Sequence, residues 1–243
     1  MAQLPSITAA DIAEMNPPIA LLPVGSWEQH GDHLPLATDA LIAATIANRI
    51  ASRYRLLELP PVTIACSHEH ENMPQRPGTV SISATTLAAL INDVYASLAR
   101  SGIHKLILVN AHGGNYMLSN LVQEANVAGQ RNMGLYPGRS DWEAARAAAR
   151  MESDHVSDMH AGELETSILL SEHPELVRDS FRNGDFEATE RPHLLVLAMA
   201  GYTSTGVIGK PSAATAEKGA LALESLTERF QPLLQLFDEK PTS

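Results

Sequence analysis

The 243 residues predict an α/β fold, a single domain (1–243) built round a mostly parallel sheet covered by helices on both faces. Three observations carry that expectation. Short apolar runs alternate with amphipathic stretches along the whole chain. Two of those runs, 19–24 (IALLPV) and 104–110 (HKLILVN), read as buried strands. Each is followed directly by a polar, glycine-containing loop, which is where α/β sheets carry their ligands, beyond the carboxyl ends of the strands.

The elements follow in order. Residues 40–53 have helical apolar spacing, with Thr38 or Asp39 as N-cap. Residues 56–65 read as extended, interrupted by prolines that mark an edge or a break. A polar, proline-rich loop covers 66–80. A helix over 84–100 stops before Gly102, a good residue for a left-handed C-terminal position. After the strand at 104–110 come a helix over 116–130, a short strand MGLYP and an Ala-rich helix over 141–150. Residues 153–160 are loop and 162–171 helix. No periodicity assigns 179–205. A last helix runs from 214 towards 237 with Pro232 as a kink.

Composition narrows the class. Hydrophobic residues make 44% and charged residues 19% of the chain, and the net charge is −11 without basic clusters, which argues against nucleic acid or an anionic membrane as partner. The single cysteine, Cys66, permits no internal disulfide and fits a reducing compartment. The first fifteen residues lack the basic start and apolar core of a signal peptide, and no apolar run reaches the roughly 20 residues of a membrane span. The expectation is a cytoplasmic protein.

Three loops hold the residues that could carry chemistry. The first contains Glu28, His30, His33 and Asp39; Glu28 and His30, two apart in an extended loop, can reach one ion, and zinc or manganese accepts such nitrogen and oxygen donors. The second, Asn110-Ala111-His112-Gly113-Gly114-Asn115, puts His112 at the sheet edge, with glycines that allow a ligand or metal close to the backbone. The third runs from Asp158 through His160, Glu163 and Glu165 to Ser167. Were the helix already under way, His160 and Glu163 would share a face and Glu165 would point elsewhere to cap or pair. Each loop alone also reads as ordinary polar surface. Together they supply enough imidazoles and carboxylates for two metal ions sharing one carboxylate round an activated water.

These residues, in this order, resemble the creatininase (creatinine amidohydrolase) family. The matching stretches are Pro23-Val24-Gly25-Ser26, Glu28-Gln29-His30-Gly31, His33-Leu34-Pro35 and Asp39; Pro77-Gly78-Thr79; Asn110 and His112-Gly113-Gly114-Asn115; and His160-Ala161-Gly162-Glu163 with Glu165-Thr166-Ser167. The resemblance implies a three-layer α/β/α sandwich and two divalent ions, zinc first with manganese or iron as alternatives. It also implies a homo-oligomer, often a hexamer. Carried over by position, Glu28 and His112 hold one ion, His30 and Glu163 the other, and Asp39 bridges; His160 is the catalytic histidine. His70 and Trp142 line the substrate, with Gly113 and Gly114 beside it. Creatininase has a metal-binding Glu at the position of Gly114, so Glu163 is expected to supply the missing carboxylate. It also has a tryptophan where Val156 stands here.

The implied activity is metal-dependent hydrolysis of a C–N bond in a small cyclic or linear amide through a metal-bridging water, with creatinine itself disfavoured. Other branches of the family deformylate a pyrimidine nucleotide or trim a modified peptide. Arg76, Lys210 and Arg139 are the cations available for a phosphate-bearing substrate. A divalent-metal isomerase or aldolase, or a non-catalytic metal-stabilised scaffold, would use the same ligands. His160, a titratable group beyond the ligand set, argues against the scaffold.

Overall fold

The structure is a computed structural model that describes residues 4–238. Four parallel strands form the sheet in the order β2-β1-β3-β4: β1 (Ala20–Val24), β2 (Leu57–Glu58), β3 (Leu106–Asn110) and β4 (Met133–Tyr136). Their side chains alternate between two apolar cores. Leu21 of β1, Ile107 and Val109 of β3, and Tyr136 of β4 face one side. There they meet α2 (Thr38–Tyr54), α5 (Arg139–Ala148), α6 (Glu163–Glu172), α8 (Ala216–Arg229) and α9 (Gln231–Asp238). Ala20, Leu22, Val24, Leu106, Leu108 and Met133 face the other side. That face is covered by α1 (Ala9–Met15), α3 (Ala84–Arg100) and α4 (Met117–Ala125). The strict alternation, with every residue of β1 buried, is what a sheet sandwiched between helices requires. The result is the expected three-layer α/β/α sandwich.

Local chemistry explains where the boundaries fall. Ser83 caps α3 by accepting from the Thr86 N–H at 3.2 Å, and Gly102 ends it at φ 86°. The stretch 56–65 gives only a two-residue strand because Pro60 and Pro61 have no N–H for a ladder; Val62 returns for a single bridge to Val24. Helix α2 starts at Thr38 without a side-chain cap, since the Thr38 hydroxyl donates to the Pro35 carbonyl at 2.7 Å. Asp39 is therefore free of the capping role the sequence suggested. The segment 179–205 consists of short 3₁₀ turns and one four-residue helix, α7 (Leu194–Leu197). The final helix breaks at Phe230, so that Pro232 sits in the first turn of α9.

Candidate active site

Strands β1 and β3 end side by side, Val24 paired with Asn110. The loops that follow open at one sheet edge. Gly25 is tightly enclosed: a Cβ there would lie 2.2 Å from the backbone N of Ala40. That close packing presses the first turn of α2, and with it Asp39, against the strand end.

Asp39 is the centre of the cluster. Its Oδ1 lies 3.2 Å from His30 Nε2, and its Oδ2 lies 3.0 Å from His112 Nδ1 while accepting from Ser26 Oγ at 2.6 Å. The two oxygens of one carboxylate thus face two different imidazoles. Glu28 is wholly buried, with Oε2 3.3 Å from His112 Nδ1 and Oε1 3.3 Å from His70 Nε2 and 3.7 Å from His160 Nδ1. Among the described residues, neither Glu28 oxygen receives a hydrogen bond.

The histidines are fixed from behind by backbone carbonyls. His30 Nδ1 donates to Glu28 O at 3.0 Å, His112 Nε2 to Cys66 O at 2.8 Å, and His160 Nε2 to Gln29 O at 2.7 Å. A carbonyl only accepts, so each ring carries a proton on that side. The opposite nitrogens, His30 Nε2, His112 Nδ1 and His160 Nδ1, aim at the carboxylates. The His30 and His160 rings are 4.2 Å apart, and His70 is 4.4 Å from His160.

Glu163 and Glu165 lie differently from what the sequence order suggested. Glu163 is buried but turned away from the cluster: it accepts from the backbone N–H groups of Glu152 and Ser153, from Ser153 Oγ at 2.5 Å and from Lys218 Nζ at 2.6 Å. Glu165 takes the place assigned to it, with Oε2 3.9 Å from His30 Nε2 and accepting from Ala161 N–H at 2.6 Å. The sequence count assumed that His160 already lay on the helix. Instead His160 pairs with Ile208 in a β-bridge, Ala161 adopts a left-handed φ of 53°, and α6 begins at Glu163. That turn resets the helical phase by two residues.

Three sets of side chains bring ligand atoms within 4.8 Å of one another: Glu28, Asp39 and His112; His30, Asp39 and Glu165; and Glu28, His30 and His160. The donors are the nitrogen and oxygen types that zinc and manganese accept. The fit to a cation also rests on Glu28. A buried carboxylate lacking donors is costly, and a divalent ion taking the place of the protons on the facing imidazole nitrogens removes that cost.

The electrostatics show how tightly the charges are coupled. Burial alone would lower the pKa of His30, but the Asp39 carboxylate, then Glu165 and Glu28, outweigh it and hold it at about 9. His112 is lifted well above its ordinary value in the same way, burial being overcome by Glu28 and Asp39. His160 goes the other way: burial, reinforced by His30 and His70, keeps it well below the ordinary value and therefore neutral. Burial, with the Asp39 charge, raises Glu165 to about 7 against the pull of His30.

A cavity of about 300 Å³ opens beside the cluster, lined by His160 and Glu165 and walled by Gly113, Trp142, Met159 and Leu164. Arg139 and His155 also line it. Trp142 and Gly113 thus border this space. His70 does not line it; it is buried between Glu28 and Gln29, its Nδ1 3.0 Å from the Gln29 amide nitrogen. Gly114 lies on the far side of His112, against Glu69 and Cys66 in a second cavity.

Four further residues brace the site. Ser26 holds Asp39, and Gln29 holds His70 and the loop at Gly206; the Gly-Ser-x-Glu-Gln-His run contains both. Asp158 caps α6 by accepting from the N–H groups of Glu163 at 2.6 Å and Leu164 at 3.1 Å, and is paired with Arg146 at 2.6 Å. His33 donates to Ala161 O at 3.0 Å and braces that turn, as a loop-holding residue should.

The family model described as Creatininase (creatinine amidohydrolase) matches residues 5–234. The chain belongs to the creatininase family. A mycofactocin precursor peptide peptidase from Mycobacterium ulcerans (strain Agy99) is 36% identical over 215 residues, covering 83% of this chain and 78% of the relative. The creatinine amidohydrolase of Pseudomonas putida is 28% identical over 237 residues, covering 88% of this chain and 90% of that one. A crystal structure of creatinine amidohydrolase (creatininase) superimposes with a TM-score of 0.79 at 25% identity, covering 97% of each chain. This creatininase-family chain is an amidohydrolase, acting on C–N bonds other than ordinary peptide bonds. No helix among its described residues is long and apolar enough to cross a membrane.

Proposed function

We propose that the chain is a metal-dependent amidohydrolase whose site binds two divalent ions. One would be held by Glu28, Asp39 and His112, the other by His30, Asp39 and Glu165, with one Asp39 oxygen for each. The observation that carries this reading is the Glu28 carboxylate, fully buried without a hydrogen-bond donor among the described residues and facing the Nδ1 atoms of His112 and His160.

Divalent ions at such a site supply Lewis acidity towards a carbonyl oxygen and a water of lowered pKa. The chain's own residues supply the rest. His160, neutral and anchored through Nε2, presents Nδ1 towards the cluster and the cavity, where it takes a proton from the attacking water and returns it to the departing nitrogen. Glu28 faces that imidazole and favours its transiently protonated form. Trp142, Met159 and Leu164 exclude water from one side of the substrate.

Within the family, the amide at the end of a modified peptide is favoured over creatinine and over a pyrimidine nucleotide. The mycofactocin peptidase likeness supports it. The cations available to a phosphate are engaged with carboxylates: Arg76 with Asp32 at 3.1 Å, Lys210 with Glu152 at 2.8 Å and Arg139 with Glu143 at 2.8 Å. A homo-oligomer in the cytoplasm completes the reading. Stripping the protein with a chelator should abolish amide hydrolysis and Zn²⁺ or Mn²⁺ should restore it, with oxygen-18 from labelled water appearing in the carboxylate product. Full turnover by stripped protein would refute the proposal, and product without label would point to an isomerase or aldolase.

A further inference from the structure

Behind His112, on the edge of the ring away from the cluster, stands a carboxylate that the mechanism above does not use. Glu69 lies on the 3₁₀ turn His68–His70, and its Oε1 is 3.7 Å from His112 Nε2, the nitrogen that donates to the Cys66 carbonyl at 2.8 Å. The Glu69 side chain is 22% exposed and borders the second cavity with Gly114 and Tyr116. Glycine at 114 makes this placement possible. A Cβ there would sit 2.0 Å from Glu69 Oε1, 2.4 Å from His112 Nε2 and 2.9 Å from the Cys66 carbonyl oxygen, so any side chain would expel the carboxylate from behind the ring.

The surrounding backbone is braced to keep this arrangement. The Asn115 side chain accepts from Cys66 N–H at 3.1 Å and donates to Gly25 O at 3.2 Å, tying the Cys66 loop, the His112 loop and the end of β1 together. Ser81 Oγ accepts from Ser67 N–H at 2.8 Å on the other flank. Glu69 is thus set by the fold on a ring edge whose opposite edge faces Glu28 and Asp39.

We infer that Glu69 is a positioning residue for His112: its negative charge, beside the Cys66 carbonyl, holds the proton on Nε2 and makes Nδ1 a stronger donor to a divalent ion, and Gly114 is glycine to leave it room. The inference rests on the metal reading of the proposed site. A carboxylate or carbonyl behind a ligating imidazole fixes its tautomer and raises its basicity, and losing such a partner typically weakens metal binding by about 10- to 100-fold.

The test is competition between the full-length protein and a chromophoric chelator for Zn²⁺, with the melting temperature of the metal-free chain measured alongside. Glu69→Gln and Glu69→Ala should weaken the binding of one of the two ions by about 10- to 100-fold and leave the other ion and the metal-free melting temperature near wild type. Glu69→Asp should recover part of the affinity through its charge, whereas Glu71→Gln, two residues further on and paired with His68, should change nothing. Wild-type affinity in both the Gln and Ala variants would overturn the inference while leaving the two-ion site standing. A fall in metal-free melting temperature that parallels the affinity loss, with no recovery by Asp, would reduce Glu69 to a structural role and overturn it too. A wild-type protein that takes up no Zn²⁺ would remove the metal reading and this inference with it.

Discussion

The side chains of the cluster divide by protonation. His30 and His112 are surrounded by carboxylates and attract positive charge. His160, hemmed in by other imidazoles and buried, repels it. That division suits His30 and His112 to a cation and His160 to carrying a proton during the reaction. His160→Asn is expected to keep both ions, because neither proposed ligand set needs it, and to lower kcat by about 10²- to 10⁴-fold. Metal content and steady-state rates of the purified variant check this; a variant that loses its ions together with activity would make His160 a ligand instead. Glu28, His30, His112 and His160 could be picked out from the sequence because each sits in a loop at a strand or helix end with glycine nearby, and Asp39 because it follows the first of those loops at the start of α2. Glu165 could not, because its direction depends on the left-handed turn at Ala161, which no side-chain pattern announces. The run His68-Glu69-His70 could extend the site on its composition, but the place of Glu69 behind His112 could not be read, since His112 is distant in sequence and only the space at Gly114 brings them together.

Two helix N-termini deliver these residues: the first turn of α2 carries Asp39, and α6 carries Glu165 just after His160. Helix α6 is anchored by Asp158, which caps it and is paired with a largely buried Arg146. Removing one partner of a buried pair leaves the other uncompensated and costs about 3–5 kcal/mol. Asp158→Ala should therefore lower stability by that order in a denaturant titration and shift Glu165 enough to weaken metal uptake; unchanged stability would show that the cap carries little. The elements themselves were readable where periodicity and punctuation agreed. Helix α3 was read at 84–100 with Gly102 as its stop, and Ser83 supplies the cap at its other end. The stretch 56–65 read as extended with a break at its prolines, though how short the strand before the break is could not be read, and 179–205 stayed unassigned because isolated 3₁₀ turns leave no repeat to detect.

For the molecule as a whole, alternating apolar runs were enough to give the sandwich, since two-sided burial of β1 and β3 permits little else. What periodicity could not give was how the loop after β1 is locked onto α6. His33 does this by donating to Ala161 O, and burial holds its pKa down at about 4 against the ordinary 6.5. In the folded protein the ring stays neutral while the unfolded chain takes up its proton. Its contribution to stability is therefore complete above pH 6.5 and is lost as the pH falls towards about 4. Unfolding free energy measured by denaturant from pH 7 to 4 should fall across that window, and His33→Gln should flatten part of the slope. An identical slope in the variant would assign the acid sensitivity to other groups.

The decisive quantity is the number of ions bound per chain in Glu165→Gln and Glu163→Gln, determined by elemental analysis of protein purified without chelator. Two ions in the wild type, two in Glu163→Gln and one in Glu165→Gln are the expected counts. Two ions retained by Glu165→Gln with one lost from Glu163→Gln, or no ions in the wild type, would contradict the site described here.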